Sequence, residues 1–195
     1  MLGIDPGLSR CGYGVIERRG RRPIAIAAGV IVTDRQRPVA ERLAHLQREV
    51  RSLLAEHKPQ VVAIERVLFQ TNVRTAMSVG QASGVVLAEA ASAGCEVAEY
   101  SPNEVKETVT GWGAAPKEQV ERMVRSLLGI EHRLRPVDAA DALALALCHL
   151  ARVRGGGGLR MTLGSTGRQT TTGAQRTSTG AQRTSTGQTT TGAPR

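Results

Sequence analysis

Apolar positions along the chain fall into short alternating or continuous runs at the start and into helical spacings afterwards. Leu2–Ile4 is a brief apolar run that stops at Asp5-Pro6-Gly7, where Pro and Gly make a turn. Residues 11–16 and the β-branched run 24–32 read as two further strands, joined by a turn at 20–23, so the chain opens as an antiparallel meander. From about Pro38 to His57, Leu43, Leu46, Val50, Leu53 and Leu54 recur at helical spacing, and Lys58-Pro59 ends that helix. Residues 61–64 form a fully apolar strand running into Glu65. Residues 72–93 follow as a helix in which Gly80 and Gly84 would permit close helix contact, and 95–100 is a fifth strand.

Ser101, Pro102 and Glu104 occupy the N-cap, N1 and N3 positions of a capping box, so a helix runs from there to about Thr110. A loop at 111–113 and a helix over 117–128 come next. Pro136 opens a final helix through Leu150 that is apolar almost all round and therefore largely buried. Antiparallel strands first and crossover helices later imply an α/β fold: a mixed five-stranded sheet with helices on its faces.

The pattern changes at the four glycines 155–158. Residues 173–179 are repeated unchanged as 180–186, without the apolar positions of a coiled coil. Thr, Gly, Gln and Arg bury too little apolar area to offset the entropy of ordering. The expectation is a folded domain over 1–154 and a disordered, repetitive tail over 155–195.

Composition sharpens this division. The chain of 195 residues holds 26 basic and 17 acidic residues, a net charge of +9. Five arginines and no acid lie beyond residue 155, leaving 21 basic against 17 acidic residues in the rest. A basic balance points to a polyanionic partner, most often nucleic acid. Three scattered cysteines and four histidines without zinc spacing exclude a disulfide framework or a zinc site. The start lacks the basic and long apolar regions of a signal peptide, and no apolar run approaches ~20 residues, so the expected location is cytoplasmic with no membrane span.

Four carboxylates occupy unusual places. Asp5 and Glu65 end apolar strands; Asp138 and Asp141 lie three apart on one face of the apolar last helix. Taken singly, Asp5 is a turn residue, Glu65 a strand exit and Asp138 an acid suited to a helix N-terminus. Asp141, a turn inside the helix, resists such a reading, because two like charges there are costly unless a cation neutralises them. An all-carboxylate cluster suits Mg²⁺ or Mn²⁺, and two such ions activate water and stabilise a leaving oxygen in phosphodiester cleavage.

Five segments then point to one family. Leu2-Gly-Ile-Asp-Pro-Gly-Leu-Ser-Arg-Cys-Gly-Tyr-Gly-Val-Ile16, Val62-Ala-Ile-Glu-Arg-Val67, Gly80-Gln-Ala-Ser-Gly-Val85, Ser101-Pro-Asn-Glu-Val-Lys-Glu-Thr-Val-Thr-Gly111 and Asp138-Ala-Ala-Asp-Ala-Leu-Ala-Leu-Ala146 resemble, in order and spacing, the bacterial crossover junction endodeoxyribonucleases of the RuvC family. The resemblance covers residues 2 to about 152. It implies an RNase H-like fold and a homodimer that resolves Holliday junctions by symmetric nicking, in cooperation with the RuvA and RuvB branch-migration helicase.

By the same resemblance Asp5, Glu65, Asp138 and Asp141 are the metal-binding acids, holding two Mg²⁺ per site with Mn²⁺ as a substitute. One ion would sit on Asp5 with Asp141 or Asp138, the other between Asp5 and Glu65. Lys106 and Lys117, two of only three lysines in an Arg-rich chain, match basic residues near the scissile phosphate. Where the family carries an aromatic that opens the junction, this chain has Leu68 followed by Phe69. Either side chain is a candidate wedge, and Asn72 and Arg74 in the same region are candidate phosphate contacts. The stretch before Asp5 is shorter than the family's usual first strand, and the repetitive tail differs from the family's short basic ending.

Three rival readings remain open at this level. An RNase H-like nuclease acting on ribosomal RNA would cleave RNA rather than junction DNA. A catalytically impaired junction-binding protein would bind without nicking. An actin-like ATPase or sugar kinase, whose phosphate loop also begins with Asp and glycines, needs two such domains, more than ~150 folded residues supply.

Overall fold

The computed structural model describes residues 1–20, 22–67 and 73–155, but not the side chains of Arg74 and Arg154. The tail expected over 155–195 lies outside the described residues but for its first position. Strands β1 (Leu2–Asp5), β2 (Arg10–Arg19) and β3 (Arg22–Val32) form the antiparallel meander; β4 (Val61–Glu65) and β5 (Glu96–Tyr100) lie parallel to β1 on its other side. The sheet order is β3-β2-β1-β4-β5. The mixed five-stranded α/β sheet expected from the pattern is thus present. The first hairpin is longer than anticipated: Arg18 and Arg19 pair with Pro23 and Arg22, so Pro23 lies inside β3 rather than in the turn.

Helices α1 (Val39–His57) and α2 (Val73–Ser92) are the crossovers that carry the chain from β3 to β4 and from β4 to β5. Leu2, Ile4, Val62 and Ile64 point from the sheet toward them and join Leu46, Val50, Leu54, Ala82 and Val86 in one core. Each such fully buried side chain contributes about 1.5–3 kcal/mol. A buried carboxylate pins the two helices together: Glu89 of α2 accepts from Arg51 and Gln47 of α1 at 2.7–2.9 Å. Gly80 and Gly84 make no close helix contact within the described residues. A side chain at either would meet nothing, whereas Ala82 and Ser83 between them are buried.

Helices α3 (Pro102–Thr110), α4 (Lys117–Leu128) and α5 (Val137–Gly155) cover the opposite face. The capping box of α3 forms as expected: the Ser101 side chain accepts from the Glu104 amide and the Glu104 carboxylate accepts from the Ser101 amide. Helix α5 ends five residues later than the sequence suggested and lies in the middle of this layer, with Leu143 and Leu145 almost fully buried. It can approach so closely because β1 and β2 present glycines to it. A Cβ on Gly3 would collide with the Ala142 backbone, and one on Gly12 with the Asp138 backbone. No helix among the described residues is long and apolar enough to cross a membrane.

Candidate active site

The carboxylates converge because of strand parity and register. Gly3 and Asp5 alternate with Leu2 and Ile4, so Asp5 faces the α5 side of the sheet. The β1–β4 register pairs Gly3 with Ala63 and Ile4 with Ile64, and one step further sets Asp5 beside Glu65 at the C-terminal ends of two parallel strands. Asp5 pairs across β2 with Gly12, and Gly12 lies directly under Asp138. The glycine-lined contact therefore delivers the first turns of α5, with Asp138 and Asp141, over Asp5.

The electrostatics record this convergence. Burial, reinforced by the neighbouring charges of Glu65, Asp141 and Asp138, pushes the Asp5 carboxyl up to about 7. Burial and then Asp141 raise Glu65, with Lys117 and Lys106 opposing. Lys106 of α3 and Lys117 at the start of α4 thus both stand within the field of the cluster. Lys117 Nζ donates to Asp141 Oδ2 at 3.3 Å, and Asp141 is the main reason the lysine is shifted upward.

Asp138 behaves differently. Arg10 Nε and Nη2 both donate to its Oδ2, at 3.1 and 2.7 Å. That pair holds the Asp138 carboxyl below its ordinary range. Arg10 is the residue at this site that the sequence did not single out. Its position, five residues after Asp5 at the entry to β2, was the available signal, but nothing local connects it to a carboxylate 128 residues away.

Ion pairs therefore reach Asp138 and Asp141, while among the described residues none reaches Asp5 or Glu65. Nor, among the described residues, do three acidic, Cys or His groups already gather into one coordination shell. The donor set nevertheless fits a hard divalent cation: it is all carboxylate oxygen, and a bound cation would offset the repulsion of Glu65, Asp141 and Asp138 on Asp5. Of the expected DNA-contact loop, Leu68, Phe69 and Asn72 lie outside the described residues. Arg74 is in the first turn of α2, its side chain undescribed.

Residues 1–149 match the family model for the crossover junction endodeoxyribonuclease RuvC. A protein of that name from Salinispora arenicola is 49% identical over 177 residues, 90% of this chain and 99% of the relative. Another from Syntrophomonas wolfei is 48% identical over 154 residues, 79% of this chain and 90% of the relative. Among solved structures, Thermus thermophilus RuvC in complex with a Holliday junction substrate is 38% identical, covers 80% of this chain and 94% of that one, and superimposes with a TM-score of 0.76. The yeast mitochondrial Holliday junction resolvase, 14% identical with a TM-score of 0.54, shares the fold alone. With this sequence similarity over the whole described domain and the RNase H-like sheet and helices beneath it, the chain belongs to the RuvC family of crossover junction endodeoxyribonucleases.

Proposed function

We propose that the protein resolves Holliday junctions by hydrolysing two opposed phosphodiester bonds, each at one copy of the carboxylate cluster. The observation that carries this reading is the Asp5–Glu65–Asp138–Asp141 convergence with Lys106 and Lys117 at its rim. Asp5, Glu65, Asp138 and Asp141 would hold the divalent metal, two Mg²⁺ per site with Mn²⁺ able to substitute. The bound ions supply a water of lowered pKa and neutralise charge on the departing oxygen. Asp5, raised by burial and by the neighbouring Glu65, Asp141 and Asp138, would act as a ligand in its charged form, so metal binding would be linked to loss of its proton. Lys117, which donates to Asp141, and Lys106 would offset the growing negative charge on the phosphate. Products carry 5′-phosphate and 3′-hydroxyl ends.

Symmetric nicking needs two sites related by a two-fold axis. A second copy fits the outer face of α2, where Val73, Met77, Gly80 and Gly84 recur at spacings of four, three and four. Val73 and Met77 are 67% and 59% exposed, and the glycines leave room for a facing helix. Leu68 or Phe69 would wedge the junction, with Asn72 and Arg74 on its backbone. The RuvA and RuvB helicase complex is the partner that family membership suggests. The three cysteines are unpaired, as a reducing cytoplasm permits. The basic tail would add salt-sensitive, sequence-independent attraction, so deleting residues 156–195 should flatten the salt dependence of binding and leave nick positions unchanged.

The deciding experiment is incubation of a mobile four-way junction with the protein and Mg²⁺, mapping both nicks. Paired symmetric nicks with ligatable ends are expected; absent or unpaired nicks, or preferential cleavage of RNA, would overturn the reading.

A further inference from the structure

A second basic feature lies beside the carboxylates and has no part in holding metal. The β1–β2 turn, the β3–α1 loop and the start of α2 enclose a cleft of about 420 Å³. Arg10, Arg35 and Arg42 line it together with the hydroxyl residues Ser9, Thr75 and Ser78, and among the described residues no carboxylate does.

Among the described residues no ion pair reaches Arg35 or Arg42. Arg42 donates to Thr33 Oγ1 at 2.9 Å and to Ser9 Oγ at 2.7 Å, both uncharged acceptors. These bonds fix its guanidinium without cancelling its charge. Of the nearest acids in sequence, Glu41 is paired with Arg37, and Asp34 accepts from the Gln36 amide. The first turn of α2 carries no acid, and Thr75 places that positive helix end at the cleft wall. Among the described residues, only Arg10 of these three meets a carboxylate, and that carboxylate is Asp138 of the candidate active site.

We propose that this cleft is a DNA-backbone subsite, seating one phosphodiester of the strand next to the scissile phosphate, with Arg35 and Arg42 as its principal cations and Arg10 linking it to the active site. The assignment rests on the nuclease reading above and adds a substrate contact to it. Guanidinium groups and hydroxyls are the usual donors to phosphate oxygens. An arginine already held by neutral partners loses little freedom on binding. A phosphate in the cleft also competes with Asp138 for Arg10, so seating the backbone frees Asp138 toward the cation site. The subsite thereby positions the strand and helps to assemble the metal site on the correct substrate.

The test is binding of the full-length protein to a fluorescent four-way junction in metal-free buffer across a salt series. Arg35→Gln should weaken binding ~10-fold and flatten the log–log salt slope by about 1. Arg19→Gln, the same charge change at the distal hairpin, should leave both near wild type. Because Arg42 also braces Thr33 and Ser9, Arg35 is the cleaner probe of ligand contact. Single methylphosphonate substitutions within a few nucleotides of the nick locate the contact: one position should reproduce the Arg35→Gln loss and add nothing to it. A wild-type slope for Arg35→Gln, an equal loss for Arg19→Gln, or additive losses at every methylphosphonate position would overturn the subsite. Failure of the wild-type protein to prefer a four-way junction over duplex would instead overturn the functional reading.

Discussion

Gly3 of β1 lies against the backbone of Ala142 in α5 so closely that a single added methyl group would displace the helix. Ala142 follows Asp141 directly, so the spacing between this glycine and this helix sets the height of the α5 carboxylates above Asp5. Gly3→Ala should cost about 1–3 kcal/mol through overpacking and abolish cleavage, with the far-ultraviolet circular dichroism unchanged. Cleavage at wild-type rate would show that the contact does not govern the site.

Asp5→Asn separates charge from shape. The variant should lose junction cleavage yet retain junction binding, read by nicking and gel-shift assays on one substrate. Nicking at the wild-type rate in Mg²⁺ would contradict the role given to Asp5.

The same variant tests the electrostatics of the metal-free protein. Asp5 titrates at about 7 in the folded state against an ordinary 3.8. Between those values the folded protein keeps a proton that the unfolded chain has released, so this group loses stability as pH rises, and above the folded value the loss is complete. The unfolding free energy of Asp5→Asn minus that of wild type should therefore grow from about pH 4 to pH 7 and then level, a rise on the order of 4 kcal/mol. Taking the difference removes the opposite trend of His149, a buried imidazole hydrogen-bonded to Tyr100 and held below its ordinary value by desolvation. Divalent metal should abolish the difference or reverse it, because the charged carboxylate is then the favoured form.

Arg10→Gln should move two affinities in opposite directions. Freed from its guanidinium, Asp138 should bind Mn²⁺ several-fold tighter in the absence of DNA, measured by calorimetry, while its carboxyl rises toward its ordinary value by carbon-13 NMR. Junction affinity should fall. A variant that binds metal no better would show that the Arg10–Asp138 pair does not compete with the cation.

Lys117 is 70% exposed at its side chain, so its bond to Asp141 contributes little to stability. Lys117→Met should shift the unfolding free energy by less than about 0.5 kcal/mol and still lower the cleavage rate by roughly 10²–10³-fold, as expected for loss of a transition-state cation.

Much of this molecule was legible in order along the chain. Alternation and apolar runs located all five strands, helical spacing located the helices, and the Ser101–Glu104 box marked the start of α3 to the residue, because these features depend on neighbours within four positions. The four carboxylates stood out for the same local reason: each interrupts an apolar strand end or helix. What tertiary packing decided was how those acids meet and what else joins them. Asp5 and Glu65 become neighbours through parallel register, Gly3 and Gly12 let α5 descend onto them, and Arg10 reaches Asp138 across 128 residues of chain. Packing also turned Gly80 and Gly84 outward and set Arg35 and Arg42 around one cleft without an acid in its lining. Local propensity carries no information about such pairings, since Coulomb energy and close contact depend on distance in space rather than along the sequence.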